Sequence, residues 1–153
     1  MNNKDLKVVN EIKMLALDMI NMAGSGHPGI VLSSAPIIYT LFANHLRYDR
    51  TNPNWINRDR FVMSCGHGSA LLYATLHMAG YQIDLNDLKS FRRFNSITPG
   101  HPEYGVTPGV ECSTGPLGQG VAQAVGMALA ERYTAAILEQ EQDGKQDIID
   151  YYI

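Results

Sequence analysis

Regular structure has to stop three times at a histidine in this chain. The interruptions are Gly26-His27-Pro28-Gly29, Cys65-Gly66-His67-Gly68-Ser69 and Pro99-Gly100-His101-Pro102. Glycine frees the backbone and proline removes a donor and fixes φ, so neither a helix nor a strand runs through these points. A fold built on one long uninterrupted periodicity is excluded, and the three imidazoles are expected to project from loops, where binding and catalytic groups concentrate. A fourth Gly-rich element, Ser113-Thr114-Gly115-Pro116-Leu117-Gly118-Gln119-Gly120, follows. Together the four outline a pocket for a polar, phosphorylated ligand.

With 153 residues, one compact domain is the expectation, large enough to bury a real core. A net charge of −3 with no run of Lys or Arg argues against nucleic acid or an anionic membrane as partner. No apolar stretch reaches the roughly 18 residues of a membrane span, and the charged N-terminus lacks the apolar core of a secretory signal. Cys65 and Cys112 form no CxxC pair and no disulfide framework, so a reduced, cytoplasmic setting is expected.

Val9, Ile12, Ala16, Met19, Ile20 and Ala23 recur at helical spacing, with Gly24 as a stop, and predict a helix over 4–23. Ser34 and Pro36 predict the start of a second helix, followed by a polar turn over 49–58. Phe61-Val62-Met63-Ser64 reads as a buried strand entering the second histidine loop. Ser69 to Ala79 reads as a helix closed by Gly80, completing a strand–turn–helix unit of the α/β kind. A short helix is predicted over 85–94, a long ordered loop over 95–112 and a helix from Leu117 to about Gln140. Glu139 to Asp147 is a solvated charged stretch, and Ile148 to Ile153 reads as the opening of a strand with nothing after it. The simplest inference is the first part of a longer chain, because a parallel strand is normally followed by a crossover.

Taken singly, each loop has a plain structural reading beside a chemical one. A neutral imidazole donates at one nitrogen, accepts at the other and titrates near neutrality, which suits sugar hydroxyls and proton transfer. His27 could equally cap the end of the first helix. His67, between strand and helix, sits where backbone N–H groups and an imidazole favour an anion; it could equally be an ordinary turn residue. His101 is stiffened by Pro99 and Pro102, as a positioned imidazole or a rigid surface loop would be. Gly115 to Gly120 is neither a P-loop nor G-x-G-x-x-G. Gly115 permits close backbone approach, and Leu117 can lie against a flat ring. Zinc held by Cys65, Cys112 and the histidines matches no common spacing. His45 and His77 fall within helical patterns and carry no assigned role.

Together the elements resemble the N-terminal part of the transketolase family of thiamine-diphosphate enzymes. The matching stretches are Ser25-Gly-His-Pro-Gly29, Arg58-Asp-Arg-Phe-Val62 with Ser64-x-Gly-His67, Thr98-Pro-Gly-His-Pro-Glu103, and Thr114-Gly-Pro-Leu-Gly-Gln-Gly120 running into Ala124-Val-Gly-Met-Ala128. They stand in the family's order and cover nearly the whole chain.

The resemblance implies an α/β, thiamin diphosphate-binding fold, a parallel sheet flanked by helices, incomplete over residues 1–153. These residues would be the N-terminal part of the diphosphate-binding domain, without its remainder and without the pyrimidine-binding and C-terminal domains. The implied activity is transfer of a two-carbon ketol unit between sugar phosphates in the pentose phosphate pathway, with the cofactor carrying the difficult carbanion chemistry. By resemblance, His67 should touch the cofactor diphosphate. His27 should face the hydroxyl that loses its proton during C–C cleavage, and His101 should bond the substrate near its first hydroxyl. Gly115 should meet the aminopyrimidine through its backbone, followed by Pro116, and Leu117 should pack on the cofactor rings. The family's metal motif, for Mg2+ or Ca2+, is expected just beyond Ile153, with no metal ligand inside this chain. A homodimer with active sites between subunits is implied, and these residues alone are expected to be inactive. Alternatives are the N-terminal subunit of a two-chain transketolase, dihydroxyacetone synthase, a non-catalytic anion-binding module that retains the loops, and a metal-binding histidine module.

Overall fold

The computed structural model describes residues 2–141 and 149–153. Helix α1 (Asn3–Ala23) begins with a capping box in which the Asn2 side chain accepts from the Lys4 and Asp5 amides and Asp5 accepts from the Asn2 amide. It ends on Gly24 in the left-handed conformation, φ +63°, as the sequence predicts. Val9, Ile12, Ala16 and Met19 form its buried face. Asp5 also accepts from the Tyr39 hydroxyl at 2.9 Å, tying α1 to α2 (Pro28–Asn44).

Helix α2 departs from expectation. It starts at Pro28, directly after His27, and Pro36 lies inside it. Pro28 occupies the first turn, where a missing N–H costs nothing, so it is the true start signal. Pro36 removes one internal bond at about 3 kcal/mol. Burying Val31, Ile38 and Phe42 along the same helix, at about 1.5–3 kcal/mol each, outweighs that cost.

A one-turn 3-10 helix (Gly66–Gly68) leads into α3 (Ser69–Met78), which is central. Every residue from Ser69 to Leu76 is buried, with α1 and α2 packed against it. Gly80 follows at φ +88°, as predicted. The short helix α4 (Leu85–Lys89) is half the predicted length: it is capped at Ser90, and Arg92 beyond it takes positive φ. Residues 95–112 form the predicted loop without regular structure.

The predicted sheet is not found: among the described residues there is no strand. Phe61 to Ser64 has no ladder, and the Ser64 amide turns back to the Val62 carbonyl at 3.1 Å, so the strand expected there is corrected to a segment without regular structure. Its nearest approach to pairing lies one residue earlier, where the Arg60 amide donates to the Tyr152 carbonyl at 2.8 Å. A ladder needs flanking strands on the hydrogen-bonding side, and a single bond does not make one. The strand predicted to open at Ile148 begins outside the described residues, and 149–153 have no regular structure. The charged stretch predicted to Asp147 also runs outside them.

Helix α5 (Gln119–Glu141) begins close against Ser64. A Cβ on Gly120 would lie 2.5 Å from the Ser64 Cα, so only glycine permits this approach. Beyond it, Val121, Val125, Leu129, Tyr133 and Ile137 are exposed, while Glu131 and Ala135 are buried.

Asp59 holds residues 47 and 152 together. It accepts from the Arg47 amide at 2.7 Å, the Arg47 guanidinium at 3.2 Å and the Tyr152 amide at 2.8 Å. Burial pushes its carboxyl upward, but these donors outweigh burial and hold it below the usual carboxylate range. A folded value below the unfolded one stabilises fully above pH about 4 and fades as pH falls through the lower folded value. Asp59→Asn is therefore expected to cost about 2 kcal/mol near neutrality, in the range of bonds to a charged group, and to flatten the acid limb of stability. Urea unfolding of both proteins at several pH values checks this; parallel acid limbs would contradict it.

Candidate functional site

Three loops separated in sequence meet around the start of α3. The His27 and His67 rings are edge to face, centroids 5.0 Å apart. His27 stands at the N-terminal boundary of α2 without a side-chain capping bond, and its ring is exposed. It therefore does not cap the end of α1. His67 is half-buried within the 3-10 turn.

The His101 loop is bound to α3 from below. Ser69 Oγ donates to the Gly100 carbonyl at 2.7 Å, and the buried Tyr73 hydroxyl donates to the His101 carbonyl at 3.1 Å. Burial pushes the Tyr73 hydroxyl far above its ordinary pKa, so it remains a donor. The His101 ring stays exposed and faces Gly115, where an added Cβ would sit 3.7 Å from its Cδ2.

The fourth loop is fixed through Thr114. Its amide donates to the Pro102 carbonyl at 3.1 Å and its hydroxyl to the Met63 carbonyl at 2.8 Å. A Cβ on Gly66 would come within 2.8 Å of the Thr114 backbone, so the His67 turn presses directly on this loop. Pro116 and Leu117 follow in the open, Leu117 being 75% exposed. The arrangement thus joins His27 to His67, and His101 to Gly115, through α3 and Thr114. A cleft of about 320 Å3 lies beside His101, lined by Arg92, Arg93, Pro99 and Gly100. A cavity of about 600 Å3 between Leu41, Phe61, Val121 and Ile153 is lined by none of the three histidines.

Two features escaped the sequence reading. Arg58 forms a bidentate pair with Glu111, both bonds 2.7 Å, and Arg60 reaches the same carboxylate at 3.1 Å. All three side chains are at most 15% exposed. The signal was available: Arg58 and Arg60 are two apart in an extended segment and share a face, while Asp59 between them points to the other. The second feature is Arg92, considered below. Cys65 and Cys112 are free thiols, and burial followed by the Glu111 charge pushes the Cys112 thiol upward. Among the described residues, no three His, Cys, Asp or Glu side chains gather closely enough to hold a metal.

Residues 4–153 match the family model for the transketolase thiamine diphosphate binding domain. The chain belongs to the transketolase family. It is 55% identical over 144 residues to the transketolase of Geobacillus stearothermophilus, covering 94% of this chain and 21% of that one. It is 49% identical over 152 residues to the Bacillus subtilis transketolase, covering 99% and 22%. Its fold superposes on the Leishmania mexicana transketolase with a TM-score of 0.90 and 49% identity, over 99% of this chain and 22% of that one. It also matches the Pichia stipitis transketolase in complex with sedoheptulose-7-phosphate, with a TM-score of 0.84, 48% identity, and 86% and 19% coverage. The chain thus spans about a fifth of the length of these transketolases. No helix among the described residues is long and apolar enough to cross a membrane.

Proposed function

We propose that these residues form part of a transketolase that moves a two-carbon ketol unit from a ketose phosphate to an aldose phosphate. The observation that carries this reading is the meeting of the His27, His67, His101 and Gly115 loops around one helix start, in a chain about half identical to transketolases along nearly its whole length. The residues present suit thiamine diphosphate. The half-buried His67 beside an uncapped helix start is an anion donor set, and the bare main chain at Gly115 followed by the exposed Leu117 suits a flat ring.

Thiamine diphosphate, when bound, supplies the electron sink that lets the ketose C2–C3 bond break. His67 would hold the diphosphate, Gly115 and Pro116 would present backbone to the pyrimidine, and Leu117 would cover the rings. His27 would accept the proton of the reacting sugar hydroxyl and return it in the second half-reaction. His101, fixed through its carbonyl by Tyr73, would orient the first hydroxyl. A divalent metal, Mg2+ or Ca2+, would be held by residues outside this segment. Dimerisation with active sites between subunits, a cytoplasmic setting and a place in the pentose phosphate pathway complete the reading. The sedoheptulose-7-phosphate complex of the Pichia stipitis relative favours sugar phosphates as substrates.

The test uses the longest polypeptide that the reading frame encodes. With thiamine diphosphate, Mg2+, a ketopentose phosphate and an aldopentose phosphate, C7 and C3 sugar phosphates are expected in equal amounts. Cofactor binding without any such exchange would overturn the transferase reading and favour an anion-binding module.

A further inference from the structure

Arg92 is held in a conformation that nothing in its local sequence favours. Its φ is +62°, a left-handed region that non-glycine residues occupy only under backbone strain. Its Nε is buried with no hydrogen-bond partner, a further cost. Such costs persist where the surroundings over-determine a residue, and the surroundings here are two histidine loops. Nη1 donates to the Ser25 hydroxyl at 2.5 Å, two residues before His27. The stem and guanidinium lie against Gly100, one residue before His101. A Cβ on Gly100 would be 3.3 Å from Nε, tighter than ordinary contact, and 3.5 Å from Cγ. The Arg92 amide also donates to the Thr98 carbonyl at 3.0 Å, which closes the 92–98 turn immediately before Pro99. Neither loop can relax freely. Gly26, at φ +155°, is pressed on Ile20, where an added Cβ would stand 2.6 Å from Cγ1. Gly100 is anchored to Ser69.

We propose that Arg92 is a positioning residue that sets the separation of the His27 and His101 imidazoles; this rests on the transketolase reading given above. One planar group touches both loops, whereas neither imidazole has a contact that fixes the other. Lysine cannot replace it, because a point ammonium on a flexible stem lacks the flat fork that contacts Gly100 while reaching Ser25.

The experiment uses the longest polypeptide of the reading frame, with Arg92→Ala, Arg92→Lys, Ser25→Ala and the Arg92→Ala/Ser25→Ala double variant. Arg92→Ala and Arg92→Lys are expected to lower kcat by roughly tenfold or more, with ketose KM and thiamine diphosphate Kd within about threefold of the parent. Ser25→Ala should lose less, and adding it to Arg92→Ala should cost nothing further, as for two groups in one interaction. A second readout does not need activity. With selectively 13C-labelled histidine, Arg92→Ala should move the His27 and His101 ring resonances and leave His77, which is held through its Nδ1 to the Ile83 carbonyl. If kcat is unchanged, if the two losses add, or if all histidine resonances move together with a fall in thermal midpoint, the positioning role is overturned. A parent polypeptide inactive in ketol transfer overturns the transferase reading instead, and the histidine resonances then decide on Arg92 separately.

Discussion

Replacing His27 by alanine is expected to lower kcat for ketol transfer by roughly 10²–10⁴-fold, the usual contribution of a positioned general base. Stability should hardly change. His27 is exposed and makes no side-chain capping bond to α2, so alanine removes no cap and opens no cavity. Surface changes of that kind stay within about 0.5 kcal/mol. The edge-to-face contact with His67 is lost. The loss should therefore appear in kcat, with the thiamine diphosphate Kd changed much less. Steady-state kinetics and a cofactor titration on the longest polypeptide of the reading frame separate the two. A kcat close to that of the parent would assign proton transfer elsewhere.

The largest stability effect is expected at Glu111. Truncating Glu111 to alanine leaves Arg58 8% exposed with its bidentate partner gone, and deprives Arg60 of the same carboxylate. Breaking a buried pair from one side costs about 3–5 kcal/mol, because the remaining charge is still desolvated. Replacing Arg58 and Glu111 together by apolar residues should cost less than Glu111→Ala alone, since no unpaired charge remains. The damage should spread locally. Glu111 lies near the end of the 95–112 loop, and Thr114, three residues on, anchors the Gly115 loop. Guanidinium unfolding gives the stability change, and amide exchange over 98–114 gives its location. Equal losses for the single and double variants would contradict this account.

Much of the helical framework was legible because its signals are local. Val9, Ile12, Ala16 and Met19 recur on one face, and Gly24 supplies the left-handed stop that α1 requires. The breaks beside His27 and His101 follow from glycine and proline sterics, whereas His67 lies within the 3-10 turn that runs directly into α3. The α2 boundary was misread because Ser34-Ala35-Pro36 mimics a start, whereas packing of Val31 and Ile38 carries the helix across Pro36. Phe61 to Ser64 has the composition of a strand, but a strand is defined by its neighbours, and none flanks it among the described residues. In α5 the apolar positions were legible and their exposure was not: Val125 and Leu129 face outward while Glu131 is buried.

At the site, residue types and loop character could be read directly, and the motif order was enough to point to the family. Proximity could not be read. His27 and His67 touch across 40 residues of chain, Arg58 and Glu111 across 53, and Arg92 and Ser25 across 67. Backbone sterics and side-chain periodicity act over a few bonds, so a sequence by itself determines where this chain bends and which chemistry each bend carries. Which bends meet depends on how α1 and α2 pack on α3 and on which buried donors find acceptors, and only the tertiary structure decides that.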